Sequence, residues 1–200
     1  MRAKICGITR PQDAVAAERA GVDAIGLMFV AHSKRRLTLA AAQEISAAVG
    51  PLMQRVGVFM NSPLDEVLAA ARTLRLHAVQ LHGAEDAAFV SALSKRVWTI
   101  KAFSFTPALS LETLSSCPAD AVMLDGLRPG SGEAFAWEEA AFLRNYPHLI
   151  LAGGLTPETV AAGVKALEPY AVDVSSGVEK APGIKDPVKI QDFVRAARLG

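Results

Sequence analysis

One pattern repeats along the whole of this chain: a short apolar run, a polar or glycine-containing turn, then a stretch with helical spacing. The apolar runs fall at residues 3–8, 24–29, 55–60, 78–81, 97–102 and 121–124, and then at Leu149-Ile-Leu and Ala171-Val-Asp-Val. Helices are expected over residues 11–20 and 38–49, from Ser62-Pro63 onward, through Phe89 and Leu93, near residues 109–114, around Trp137, after Thr156-Pro157, and from Pro187 to the end. The clearest of them place Leu64, Val67, Leu68 and Ala71, or Ile190, Phe193, Val194 and Ala197, on one face. That spacing marks an amphipathic helix. The strand runs are nearly continuous in apolar residues, as strands buried on both faces of a parallel sheet are. Regular alternation of the two elements predicts βα units. Eight units predict an α/β fold, a single (β/α)8 TIM barrel forming one catalytic domain over residues 1–200, with an open doubly wound sheet as the alternative. At 200 residues the chain stands at the lower size limit of about 200 for that barrel.

Bulk properties exclude several functions. The chain is 51% hydrophobic and carries a net charge of +1. It lacks the basic stripe that nucleic acid requires. No apolar run approaches the roughly 20 residues of a membrane span. The opening Met1-Arg-Ala-Lys-Ile-Cys-Gly7 is too short in apolar length for a secretory signal. Two cysteines, Cys6 and Cys117, form no disulfide framework, and a reducing cytoplasm is the expected home.

In a barrel of this kind the chemistry stands at the C-terminal ends of the strands. Those positions offer Cys6 and Gly7, then His32, Ser33, Lys34, Arg35 and Arg36, then Asn61, Gln80, His82, Lys101 and Asp125. The last two strands end in Gly153-Gly154 and in Ser175-Ser176-Gly177. Glycines there let a ligand approach the backbone, and the loops after strands seven and eight are the usual phosphate site of such barrels. Thr156 is a good N-cap, and Pro157 suits the first helical position. The longest irregular stretch, residues 125–136, is expected to be a mobile active-site loop. No spacing indicates a metal, and no GxGxxG or P-loop indicates a nucleotide, so no cofactor is expected. A thiol, a carboxylic acid, cations and a phosphate cradle suit proton transfer on a small phosphorylated anion. Each residue also has a plain structural reading. Cys6 can be a small buried hydrophobe, Asp125 a loop cap, and His82 a backbone-bonded core histidine. Lys34-Arg-Arg36 can be a solvated patch, Lys101 can reach out to solvent, and Cys117 can be incidental.

The run Lys4-Ile-Cys-Gly-Ile-Thr9, the strands Val56-Gly-Val-Phe-Met-Asn61 and Val79-Gln-Leu-His-Gly83, and the endings Leu149-Ile-Leu-Ala-Gly-Gly-Leu-Thr-Pro157 and Val172-Asp-Val-Ser-Ser-Gly-Val-Glu179, with Pro182-Gly-Ile-Lys-Asp186, occur together. On these motifs the chain resembles the phosphoribosylanthranilate isomerases of tryptophan biosynthesis over its whole length. The resemblance implies a cofactor-free Amadori rearrangement of a small phosphoribosyl substrate, with Cys6 as general base and Asp125 as general acid. It implies Arg35 as the cation holding the anthranilate carboxylate, with Arg36 as the competing choice. It implies a phosphate site on the backbone of Gly153, Gly154, Ser176 and Gly177; His82, at the end of strand four, is a candidate for the substrate pocket by position. Two departures from the family pattern stand out. Ala31 replaces a common proline, and Pro129-Gly-Ser-Gly132 with Phe135-Ala-Trp137 leaves Ala136 where aspartate is usual.

Rival readings are a metal-dependent ribulose-phosphate epimerase, an indole-glycerol-phosphate synthase with a lysine–glutamate set, and a phosphosugar-binding barrel without turnover. A broader isomerase also acting on the histidine-pathway substrate is expected to carry aspartate where this chain has Cys6. No motif distinguishes a monomer from a homodimer.

Overall fold

The computed structural model describes residues 1–126 and 137–200. The expected loop after strand six, with Pro129-Gly-Ser-Gly132, Phe135 and Ala136, therefore lies outside the described residues apart from Asp125 and Gly126. Eight parallel strands close into a barrel in sequence order. They are β1 (Arg2–Ile5), β2 (Ala24–Met28), β3 (Gln54–Phe59), β4 (Ala78–Leu81), β5 (Trp98–Ser104), β6 (Ala121–Asp125), β7 (Leu149–Leu151) and β8 (Ala171–Val174). The ring closes where β1 pairs with β8, from Arg2 opposite Ala171 to Ile5 opposite Val174.

The returning helices pack outside the ring. They are α1 (Pro11–Arg19), α2 (Leu39–Ala47), α3 (Leu64–Leu74), α4 (Ala87–Ser94), α5 (Leu111–Ser115), α6 (Val160–Leu167) and α7 (Pro187–Leu199), with a 3₁₀ segment at Trp137–Leu143 in the sixth unit. The logic of α3 is typical of them. Val67, Ala70, Ala71 and Leu74 are buried, while Asp65 and Glu66 lie in the first turn, where the helix dipole favours negative charge. Arg75, in the left-handed conformation, ends it. No helix among the described residues is long and apolar enough to cross a membrane.

Two apolar cores result. The outer one lies between strands and helices and includes Ile5, Leu27, Leu81, Leu124, Val172 and Phe193. Burying such a side chain contributes about 1.5–3 kcal/mol each. The inner one fills the lower barrel with Ala24, Val56, Ala78, Ile100, Met123 and Ile150. Small residues dominate because eight strands leave little room inside.

Two local expectations change. Helix α6 starts at Val160, not at Pro157. The Thr156 hydroxyl accepts the Glu158 N–H at 3.2 Å, and the Thr159 hydroxyl accepts the Thr156 N–H at 3.0 Å. These reciprocal bonds fold Thr156–Thr159 into a turn of their own before the helix begins. The second change is an antiparallel hairpin after β8, formed by β9 (Glu179–Ala181) and β10 (Ile184–Lys185). Its turn is Pro182-Gly183, with Gly183 at φ +78°.

Candidate active site

Side chains alternate across a strand, so every second residue enters the barrel. The alternation runs one residue past some strand ends: it gives Lys4 and then Cys6 at β1, Gln80 and His82 at β4, Met123 and Asp125 on β6, and Asp173 and Ser175 at β8. The upper member of each pair, with Asp173, reaches a cavity of about 730 Å³ at the C-terminal mouth. Arg35, Gly153, Gly154 and Ser176 line the same cavity.

Cys6 is buried, and its sulfur lies against Gly26 of β2, where a Cβ would come within 2.8 Å of it. Below it, Lys4 Nζ donates to Asp173 Oδ1 at 2.8 Å, both side chains being inside the barrel. Burial pushes the thiol pKa up, and the Lys4 ammonium opposes this without reversing it. Burial also presses on Lys4, but the Asp173 carboxylate beside it holds its pKa above the ordinary lysine value. The base candidate thus stands directly over a fixed positive charge.

Arg35 belongs to the loop after β2. Its stem crosses the end of β1 because Gly7, at φ +71°, has no side chain; a Cβ there would strike Arg35 Cδ. The guanidinium makes a two-pronged pair with Glu179, Nε to Oε1 and Nη2 to Oε2, both at 2.7 Å. Lys185, fully buried, donates to the same Oε1 at 2.8 Å and to the Ser175 carbonyl at 3.0 Å. Burial would raise the Glu179 carboxyl, yet the two cations hold it below the usual carboxylate range. Arg36 is exposed and does not line the cavity. Of the two arginines, Arg35 is the one that lines the cavity.

Asp125 ends β6 across the mouth, with one oxygen accepting the Gly126 N–H at 2.8 Å. Its other oxygen is 3.2 Å from His82 Nε2. That contact is close enough for a hydrogen bond but misaligned, and Nε2 makes none among the described residues. The glycines after β7 both take left-handed conformations, with Gly153 at φ +80° seated against the Gly126 backbone. Gly177 sits behind the cavity wall against the Leu155 carbonyl and does not line the cavity; only its backbone is left to serve a ligand.

Two other strand-end candidates turn inward on the scaffold. Lys101 donates to the Gly83 carbonyl at 2.6 Å and to Glu85 at 3.1 Å, and Glu85 also accepts the Asn61 N–H at 2.8 Å. Lys101 and Asn61 thus order the loops after β3 and β4 and stay out of the cavity. Among the described residues no group of three His, Cys, Asp or Glu side chains could hold a metal ion, and Cys6 and Cys117 are free thiols. Sequence reasoning assigned no task to Lys4, Asp173, Glu179 or Lys185. Lys4 and Asp173 showed only as charges inside otherwise apolar strand runs, and Glu179 and Lys185 lay beyond those runs, in the motifs that follow strand eight.

The sequence pattern of the family described as N-(5'phosphoribosyl)anthranilate (PRA) isomerase matches residues 3–196. A relative from Geobacter metallireducens, named N-(5'-phosphoribosyl)anthranilate isomerase, is 43% identical over 202 aligned positions, covering 99% of both chains. The crystal structure of phosphoribosyl anthranilate isomerase from Thermus thermophilus is similar at TM-score 0.92 and 43% identity, over 100% of both chains. A structure of such an isomerase in complex with reduced 1-(o-carboxyphenylamino)-1-deoxyribulose 5-phosphate is similar at TM-score 0.91 and 36% identity, again over 100% of both chains.

Proposed function

Because this chain belongs to the N-(5'-phosphoribosyl)anthranilate isomerase family, we propose that Cys6 and Asp125 perform the family's proton transfers across the mouth of its barrel. The reaction is the Amadori rearrangement of N-(5-phospho-β-D-ribosyl)anthranilate to 1-(2-carboxyphenylamino)-1-deoxy-D-ribulose 5-phosphate, an aldose–ketose isomerisation in tryptophan biosynthesis. The observation that carries the assignment is placement. A thiol on β1 and a carboxyl on β6 face one cavity, separated by β7 and β8 on one side and by β2 to β5 on the other.

Asp125 as an acid gives its proton to the furanose ring oxygen while the C1–O bond breaks. The anthranilate nitrogen lone pair fills the position left at C1, giving an iminium. The Cys6 thiolate then takes the proton from C2, and those electrons neutralise the iminium as an enolamine, which tautomerises to the ketone. Each such transfer is worth roughly 10²–10⁴-fold. Arg35 holds the substrate carboxylate. Glu179 occupies Nε and one Nη2 proton, which orients the guanidinium and leaves Nη1 without a partner among the described residues. Backbone N–H groups around Gly153, Gly154 and Ser176, with Gly177 behind them, receive the phosphate, as loops seven and eight do in barrels generally.

The test follows the fluorescence of phosphoribosylanthranilate, generated in situ from anthranilate and phosphoribosyl pyrophosphate by a coupling transferase. Wild type should consume it, and well-folded Cys6→Ser and Asp125→Asn should not. Near-normal turnover by either variant removes that residue from its role.

A further inference from the structure

Beneath the acid candidate lies a short chain of side chains that the mechanism above does not use. Gln80, on β4, is almost wholly buried. Its Nε2 is 3.4 Å from His82 Nδ1, and His82 Nε2 is 3.2 Å from Asp125 Oδ2. Two buried polar atoms of this trio, Gln80 Oε1 and His82 Nε2, make no hydrogen bond among the described residues. Buried polar atoms are seldom left so, and two in one chain beside a reacting group call for a reason. Since Oε1 meets no partner among the described residues, His82 Nδ1 is the one hydrogen-bonding contact there that selects which end of the Gln80 amide faces the ring.

We propose that Gln80 is a positioning residue that sets the tautomer of His82 and, through it, whether Asp125 stands loaded or spent as an acid. The inference rests on Asp125 being the acid. Two arrangements satisfy the chain. In the first, Gln80 Nε2–H donates to Nδ1, the ring carries its proton on Nε2, and that N–H faces an Asp125 carboxylate. In the second, the amide is turned over. Nδ1–H then donates to Gln80 Oε1, and the Nε2 lone pair accepts O–H from a neutral Asp125. The first arrangement holds one proton and the second holds two. The difference is the proton delivered to the ring oxygen, and solvent returns it through the cavity mouth, which His82 lines. An imidazole's two nitrogens are coupled in this way because the bond made by one fixes the proton on the other.

Two variants and two readouts test the proposal on the full chain. Gln80→Met keeps the volume and removes both donor and acceptor. Gln80→Glu keeps the size and an acceptor, which favours the proton on Nδ1. We expect Gln80→Met to lower kcat by about tenfold or more, short of the roughly 10²–10⁴-fold of a whole general acid, with KM within about twofold. Ring ¹⁵N shifts of His82, assigned by their loss in His82→Gln, should change in Gln80→Met and report Nδ1–H in Gln80→Glu. A Gln80→Met kcat within about twofold of wild type overturns the proposal, and so does a lowered kcat with unaltered His82 shifts. If Gln80→Met does not fold, Gln80→Glu decides alone: His82 protonated on Nε2 only would overturn it. Failure of the acid assignment shows separately, as turnover by Asp125→Asn.

Discussion

A base buried in a barrel works against its own burial. The Cys6 thiol pKa is pushed up by desolvation, and Lys4 beneath it is the larger of two cations that oppose this, Lys185 being the other. At neutral pH the thiol form therefore predominates, and kcat/KM should climb on the alkaline side as thiolate grows. Lys4→Met removes the larger opposing charge, so the thiol pKa should rise further. The pH midpoint of iodoacetamide alkylation of Cys6 should move to higher pH, whereas Lys4→Arg should hold it nearly in place. The same Lys4→Met change strands Asp173 inside the barrel and should cost about 3–5 kcal/mol in urea unfolding. Arg35 gives a second prediction. Losing a charge-assisted bond of about 1.5–3 kcal/mol, Arg35→Ala should raise KM roughly tenfold to a hundredfold, while exposed Arg36→Ala should leave it within about twofold. The reverse ranking in steady-state kinetics would move the carboxylate to Arg36. The placement of Cys6, Asp125 and Arg35 at one barrel mouth was legible in the sequence because their motifs are local. The Lys4–Asp173 pair was not, since its members lie 169 residues apart and meet only when the ring closes.

The hairpin of β9 and β10 has almost no apolar surface of its own and is held by charge. Glu179 joins it to Arg35, to Lys185 and to the Gly183 N–H. This has a pH consequence with a definite sign. The folded Glu179 pKa lies below its ordinary value of 4.5, because the two cations outweigh burial. Folding then gains stability that is fully present above that ordinary value and is lost as pH falls through the depressed folded one. Thermal midpoints of wild type should fall on acidification below about pH 4.5 more steeply than those of Glu179→Gln. Parallel slopes would mean that the hairpin is not anchored by this carboxylate. Glu179→Gln should also raise KM, because Arg35 loses its orienting fork. The hairpin escaped sequence reading for the same reason it needs ion pairs. Strands of three and two residues containing Glu and Lys show no alternation, and only Pro182-Gly183 marked the turn. The barrel strands, by contrast, announced themselves as apolar runs. Their exact ends did not, since a strand end is set by its neighbour's register.

On the scale of the whole molecule, the proposed assignment splits substrate recognition between two parts of one rim. Arg35, carried on the loop after β2, would serve the carboxylate end. The glycine turns after β7 and β8 would serve the phosphate end. Separate anchors on one rigid ring should contribute nearly independently, because sites without shared partners couple weakly. Ligand-induced stabilisation can measure this. At a hundred times its Kd, a ligand binding only the folded state adds about 2.7 kcal/mol, which for a chain of this size is roughly 5–10 °C in Tm. Inorganic phosphate should stabilise wild type and Arg35→Ala alike. A stable product analogue bearing both carboxylate and phosphate should stabilise wild type at far lower concentration and lose most of that advantage in Arg35→Ala. Gly153→Ala should do the opposite, weakening the response to phosphate itself. A Cβ there meets the Gly126 backbone at a φ of +80°, so the loop must move. If phosphate protected Gly153→Ala as well as it protects wild type, the phosphate would have to sit elsewhere on the rim. The substrate would then lie across the barrel in another direction, and the pairing of Cys6 with C2 and of Asp125 with the ring oxygen would fall with it.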